Sequence, residues 1–172
     1  NSSQRIEQFI IQNEKSIKQT LSNSEIFDIF KNNKRILLFL FKEKIIEISD
    51  SIVSFIVKKS SVNGTNYCHF FFNEIKDFVD DVFQQTIKRE FLEIDPNIHD
   101  NFDEKRKIGE NDSYICELIR NDSIKEFIIF VNKTNLYLSS RVDQSIFETN
   151  PFLMKNQPTL IEYAAFFGSI QI

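Results

Sequence analysis

The chain has 172 residues, of which 41% are hydrophobic and 27% charged, with a formal net charge of -4 at pH 7; this suits one ordinary domain or two small ones able to bury a core without disulfides or metal. The two signs of charge are interspersed and no basic run could release counterions from a phosphate backbone, which argues against nucleic acid. The longest apolar stretch, Ile36 to Phe41, is cut by Lys42, Glu43 and Lys44 and falls short of a membrane span, so no membrane insertion is expected.

The first segment, Ser3 to Leu21, spaces Ile6, Phe9, Ile10, Ile17 and Leu21 as one amphipathic helix behind a capping serine. From Ser24, a second N-cap candidate, Ile26, Phe27, Ile29 and Phe30 run into the polar turn Asn32-Asn33. The apolar run Ile36 to Phe41 then continues to Ile46, and the whole predicts a helix-turn-helix pair. Ser49 or Asp50 opens a short helix carrying Ile52, Val53, Phe55, Ile56 and Val57, closed by Lys58-Lys59 where positive charge suits a helix end. Its β-branched content leaves a strand open as the alternative. Asn63-Gly64 signals a turn. Beyond it Phe71, Ile75, Phe78, Val79, Val82, Phe83 and Ile87 lie on one stripe, which predicts a single long helix. Together these elements make a helical N-terminal domain over residues 1–95.

Asp95-Pro96 opens a polar, acidic linker or loop over 96–112, and the domain boundary is placed there. Residues 113–172 then begin with Ile115, Leu118 and Ile119, which lead to Asn121-Asp122 and on to Ile124, Phe127, Ile128 and Val131, a second helix-turn-helix. A loop from Asn132 to about Asp143 holds Leu136-Tyr137-Leu138, which can be extended, and Ile146, Phe147, Phe152 and Leu153 precede Pro158.

The last fourteen residues carry the most specific pattern. Thr159 opens a helix, Ile161 takes a leucine position, Ala164-Ala165 form a small pair that lets neighbouring helices approach, Gly168 supplies a left-handed turn, and Ile170 and Ile172 are the apolar positions beyond. In this register, without a gap, the segment resembles the first helix, turn and second-helix start of an ankyrin repeat. Leu160 stands where the repeat has proline and Glu162 where it has histidine, so the match is to a degenerate or terminal repeat. A weaker echo lies 46 residues upstream, with Ile115 under Ile161 and Asp122 under Gly168, longer than the ankyrin period of about 33 residues by roughly one insertion. A fainter one surrounds Asn32-Asn33. As a whole, residues 24–172 resemble the N-terminal region of protist ankyrin-repeat proteins that carry a domain of unknown function. The resemblance implies an all-α fold, a helical N-terminal domain followed by degenerate ankyrin-like helix pairs that start an α-solenoid. It implies a capping, protein-binding role with an unknown protein partner and no enzymatic activity. It also implies that the array continues past Ile172, where the second helix of the last pair is cut short. Tyr163, Phe166 and Phe167 either face that partner or pack against the neighbouring repeat.

Chemistry finds little foothold. Asp95, Asn97, His99 and Asp103 alternate like a calcium loop, but Asp100 stands where the turn needs glycine and Arg106 where the ion needs glutamate. Cys68-His69 are adjacent, so on a helix they point about 100° apart and share a proton poorly. They mark the site of the less favoured enzyme or small-ligand reading. Cys68 and Cys116 lack metal-ligand spacing and read as buried thiols. No phosphate loop, zinc-binding histidine pair or serine between glycines occurs, and no cofactor is implied. The 19 Phe accompany abundant Ile, Lys and Asn and only three Gly, residues with A/T-rich codons, so aromatic clusters reflect base composition before base stacking. A third reading is homotypic association, a homo-oligomer formed through a Phe71, Phe78 and Phe83 stripe. Asn1 to Lys18 lacks a continuous hydrophobic region, so an intracellular, cytoplasmic setting is expected.

Overall fold

The computed structural model describes residues 2–63 and 66–172, with side chains for 3–59 and 66–172. The described residues form an all-α fold of thirteen helices without a β-strand; one isolated antiparallel bridge joins Arg141 to Thr159. They fall into two compact units, Asn1–Lys107 and Ile108–Ile172.

In the first unit, α1 (Ser2–Gln12) and α2 (Glu14–Thr20) replace the single helix read from the sequence. The break is at Asn13, whose side-chain amide donates to the Phe9 carbonyl at 2.8 Å and competes with the helical ladder. The next helix, α3 (Asn23–Phe30), is capped by Ser22, two residues before the expected cap at Ser24, because Ser22 and Glu25 close a reciprocal capping box. α4 (Lys34–Lys42) follows a cap in which Asn33 accepts from the Ile36 amide. α5 (Asp50–Asn63) is a helix, which settles the strand alternative; the expected Asn63-Gly64 turn lies outside the described residues.

The long stripe from Phe71 to Ile87 is four pieces: α6 (Tyr67–Phe70), α7 (Phe72–Ile75), a 3-10 turn (Lys76–Phe78) and α8 (Asp81–Ile94). Helical spacing runs through this stretch, but Val79 is extended and Asp80 accepts from the Phe83 amide, so a new helix begins there. Phe71 and Ile75 consequently enter the core while Phe78 and Val82 are exposed.

α4 is apolar almost all round and buries Ile36, Leu37, Leu38, Leu40 and Phe41, as such a helix must. Around it Phe27, Phe55, Tyr67, Phe71 and Phe41 meet mostly edge to face, with ring centroids 5.3 to 6.3 Å apart. Two cations share this core. The Lys34 ammonium lies 5.1 Å and the Arg106 guanidinium 5.8 Å from the centre of the Phe70 ring.

Arg106 corrects the reading of 96–112 as a linker. The segment carries α9 (Phe102–Ile108), and Ile98, Phe102 and Arg106 are buried. Arg106 is 1% exposed. It donates to the Phe70 carbonyl at 2.8 Å, to Glu74 at 2.6 Å and to Asp103. Charge density alone made this stretch look solvated; a guanidinium met by two carboxylates and a carbonyl goes inside instead. The boundary between the two compact units falls after Lys107, inside the 96–112 segment, so most of that segment belongs to the first unit.

In the second unit α10 (Tyr114–Arg120) packs against both α11 (Ile124–Thr134) and α13 (Leu160–Phe167), around Cys116, Ile119, Phe127, Leu153, Tyr163 and Ala164. Between α11 and α13 runs an irregular loop, tied by Val142 N–H to the Pro158 carbonyl and Leu160 N–H to the Ser140 carbonyl. Leu136-Tyr137-Leu138 sits in this loop and forms no strand. A short helix, α12 (Pro151–Asn156), interrupts it, begun by an Asn150 cap and proline at its first position.

Replacing Arg106 by alanine leaves the Glu74 carboxylate without its buried partner and is expected to cost about 3–5 kcal/mol. Urea unfolding at pH 7 measures this; a loss below about 1 kcal/mol contradicts the buried network.

Candidate functional site

The 46-residue echo in the second unit is a structural repeat of caps and turns. Ser113 and Thr159, which precede α10 and α13, have nearly the same extended backbone, with φ and ψ of -65° and 142° against -69° and 164°. Downstream, Asp122 and Gly168 are both left-handed, at φ 50° and 71°. Their hydrogen bonds correspond one for one. Asp122 N–H donates to Ile119 O and Ser123 N–H to Leu118 O, while Gly168 N–H donates to Ala165 O and Ser169 N–H to Ala164 O. This is the same helix-ending turn twice, satisfying the last carbonyls of each helix. The caps differ in one respect: Thr159 completes a capping box with Glu162, whereas the Ser113 side chain makes no cap bond. Glu162 thus fills, with a cap, the position where the ankyrin pattern has histidine. The Asn32-Asn33 echo lacks a left-handed residue and does not share this turn.

Side chains join the two turns. The Asp122 carboxylate accepts from the Gln171 amide at 3.0 Å and the Ile170 amide at 3.3 Å, and the Ser169 hydroxyl donates to the Ile119 carbonyl at 2.5 Å. Arg120 donates to the Tyr163 hydroxyl at 2.9 Å and to the Asn111 carbonyl at 2.7 Å, and its Nε lies 2.9 Å from Glu110. Burial pushes both the Tyr163 phenol and the Cys116 thiol above their ordinary pKa values. Neither is poised to ionise.

Of the residues marked in the repeat motif, Thr159 caps, Ala164 is buried, Gly168 turns, and Ile172 packs partly on the core. Ile161, Ala165 and Ile170 are exposed, Ile170 at 92%. The three aromatic candidates for a partner surface divide. Tyr163 is 1% exposed and belongs to the core, because its ring fills the contact with α10 while its hydroxyl finds Arg120. Phe167 is half-buried, 4.7 Å from the Tyr163 ring with the Arg120 guanidinium over it at 5.9 Å. Phe166 is 45% exposed. Sequence reasoning missed Phe152, which stacks on Phe166 at 6.0 Å and extends the exposed aromatic surface; the Asn-Pro start of α12 was the signal for it.

The alternative chemistry does not assemble. The Cys68 thiol is 2% exposed and donates to the Ile56 carbonyl at 3.6 Å. His69 lies against the Phe91 ring at 5.2 Å with Nε2 2.9 Å from Glu90. The nearby cleft of about 440 Å³, lined by Phe72, Lys88, Phe91, His99 and Asp103 among others, includes neither Cys68 nor His69. Asp95 accepts from the Asn97 amide and Asp103 from Arg106, so the calcium-like residues serve the fold. The Phe71, Phe78 and Phe83 stripe is spread over the α6–α7 junction, the 3-10 turn and α8, with Phe71 buried, and forms no single face. Among the described residues no group of three or more His, Cys, Asp or Glu could hold a metal ion, and no helix is long and apolar enough to cross a membrane.

No protein-family model, curated protein or solved structure matches the chain.

Removing the Asp122 carboxylate strips two amides of their acceptor and leaves a left-handed alanine. Asp122→Ala is expected to cost about 2 kcal/mol, and Asp122→Asn less because it keeps one acceptor and tolerates the turn. Faster hydrogen exchange at Ile170 and Gln171 should accompany the loss, and unchanged exchange there contradicts the assignment. Burial, and more weakly Lys34, holds the pKa of His69 below its ordinary 6.5 against the opposing pull of Glu90. The unfolded chain therefore takes up the proton first. Stability is full above pH 6.5 and falls as the pH drops through that value toward the lower folded one. His69→Gln should flatten the urea midpoint between pH 7.5 and 5.5; an unaltered slope rules His69 out as its source.

Proposed function

We propose that this chain is a protein-interaction scaffold: a helical domain followed by the first, degenerate helix pairs of an ankyrin-type solenoid, working in the cytoplasm on a protein partner and catalysing no reaction. The observation that carries the reading is the recurrence, at one fixed offset of 46 residues, of an extended residue before the helix and a left-handed turn after it, closed by two corresponding hydrogen bonds, on two helices that pack side by side. A repeat unit that cannot bury its own apolar face and does so on its neighbour is the physical basis of solenoids. The excess over an ankyrin period is accounted for by the loop and α12, which lie between α11 and α13. A capping role is supported at α10, where Tyr114, Glu117 and the residue just past its end, Asn121, are exposed and largely polar, as an end repeat requires. Against an enzyme stand a buried Cys68 and a His69 engaged by Glu90 outside the neighbouring cleft.

Affinity capture from extracts of the source cells tests the reading. The immobilised chain should retain a protein whose recovery falls about tenfold with the double variant Ile161→Ala, Phe166→Ala, while circular dichroism is unchanged. Equal recovery by both chains, or none above the bare resin, contradicts it.

A further inference from the structure

The cleft of about 440 Å³ on the first unit is built by three stretches of chain. α7 supplies Phe72, α8 supplies Lys88 and Phe91, and the segment that runs from His99 into α9 supplies Phe102 and Glu104. Its floor is aromatic. Phe91 meets Phe72 at 5.7 Å and Phe102 at 5.5 Å, both edge to face, and the His99 ring lies against it at 5.7 Å. The three Phe rings are buried, so only a narrow apolar strip opens between polar walls. A flat ring fits such a strip better than a branched aliphatic chain, and it continues the edge-to-face contacts already present.

The walls set the charge of the ligand. Asp103 is committed to the fold: it accepts from Arg106 and Asn73, and the Lys42 ammonium lies 3.9 Å away. Among the described residues the side chains of Lys88 and Glu104 make no hydrogen bond or ion pair, and the His99 imidazole contacts only the Phe91 ring. Lys88 stands three residues before Phe91 on α8 and so flanks the ring that His99 touches. One end of the strip therefore offers donors, and the α9 wall offers a carboxylate. The other cleft of the first unit, about 470 Å³ between Lys18 and Ile45, has no such uncommitted set or aromatic floor. Its Lys18, Ser22 and Asn23 are bonded to the Lys44 carbonyl, Glu25 and the Glu47 carbonyl.

We propose that the cleft between α7, α8 and α9 binds an aromatic amino acid as its zwitterion, with the ring on the strip over Phe91 and Phe102, the carboxylate toward Lys88 and His99, and the ammonium toward Glu104. Each uncommitted charge then meets its opposite when water leaves, which a neutral ring or a singly charged ligand does not achieve. The volume falls within the range of small-molecule sites, about 300–1,000 Å³. No bond is made or broken there. The site goes beyond the scaffold reading and stands without it, since all of its residues lie within the first unit. The ring and carboxylate also occur together at the C-terminus of a peptide ending in an aromatic residue; the free ammonium tells the two sources apart.

L-Phenylalanine titrated into the 15N-labelled full chain should give saturable shifts at the amides of Asn73, Lys88, His99 and Glu104, with a Kd of about 1 mM or below. Lys88→Met and Glu104→Gln should each weaken binding about tenfold, as the loss of one charge-assisted hydrogen bond. Both positions are exposed on helices, so the rest of the spectrum should stay unchanged. L-Leucine should bind about fivefold more weakly than L-phenylalanine for want of ring contacts. No saturable shift up to about 10 mM L-phenylalanine, or shifts centred outside the cleft, would overturn the proposal. Equal binding of L-leucine would reject the aromatic strip and with it the ligand class. N-acetyl-L-phenylalanine binding as tightly as the free amino acid, with no loss on Glu104→Gln, would reject the zwitterion and assign the cleft to a peptide C-terminus.

Discussion

The second unit depends on one constraint, the left-handed turn that closes α10 and again closes α13. A residue at φ 50° that is not glycine costs on the order of 1 kcal/mol, and Asp122 occupies such a position. Its side chain explains why. From this turn the carboxylate reaches the amides of Ile170 and Gln171, which by register correspond to the first two helical positions of α11 at Ile124 and Lys125. Such amides are orphan donors at any helix start. The turn of one helix pair thus satisfies the backbone that follows the next helix, and the local strain is offset by a bond between the two turns of the second unit. Gly168 occupies the equivalent turn without strain and without a side chain to extend the chain of contacts.

The first unit solves a different problem, the accommodation of charge inside a phenylalanine-rich core. Arg106 and Lys34 both approach the Phe70 ring, and Arg106 is matched by Glu74 and Asp103. Desolvating ions is costly, and a paired ion adds less stability than an apolar residue of the same shape often could. What the network does contribute is geometry: one guanidinium ties α9 to the end of α6 through Phe70 and to α7 through Glu74, while Asp103 on α9 itself holds it in place. Asp103 is held below the usual carboxylate range first by its hydrogen bond to Arg106.

The helical class was legible because apolar spacing near 3.6 persists through most of the chain, and the all-α expectation matches the fold. Its punctuation was harder to read. Asn13 and Asp80 break apolar stripes that run on through them, since a single side chain bonding to the backbone outweighs periodicity. Arg106 was invisible for the opposite reason: its two carboxylate partners include Glu74, 32 residues away, and no local pattern announces a distant partner. In the second unit the turn at Asp122 was visible by alignment with Gly168, yet the alignment could not say which side of α13 is covered. Tyr163 looked as available as Phe166. They lie three residues apart on a helix and share one broad face, so their spacing does not separate them; the neighbour at α10 decides which is buried.

The central claim is that α10 and α13 stack in a 46-residue register, with Arg120 on Tyr163. A double-mutant cycle between these two residues tests it most directly: Arg120→Met, Tyr163→Phe and the double variant, each unfolded in urea. The account predicts a coupling energy of about 1 kcal/mol or more, as for two groups in one hydrogen-bonded network. Additivity within about 0.3 kcal/mol would mean that the two helices do not meet in this register, and would contradict the account.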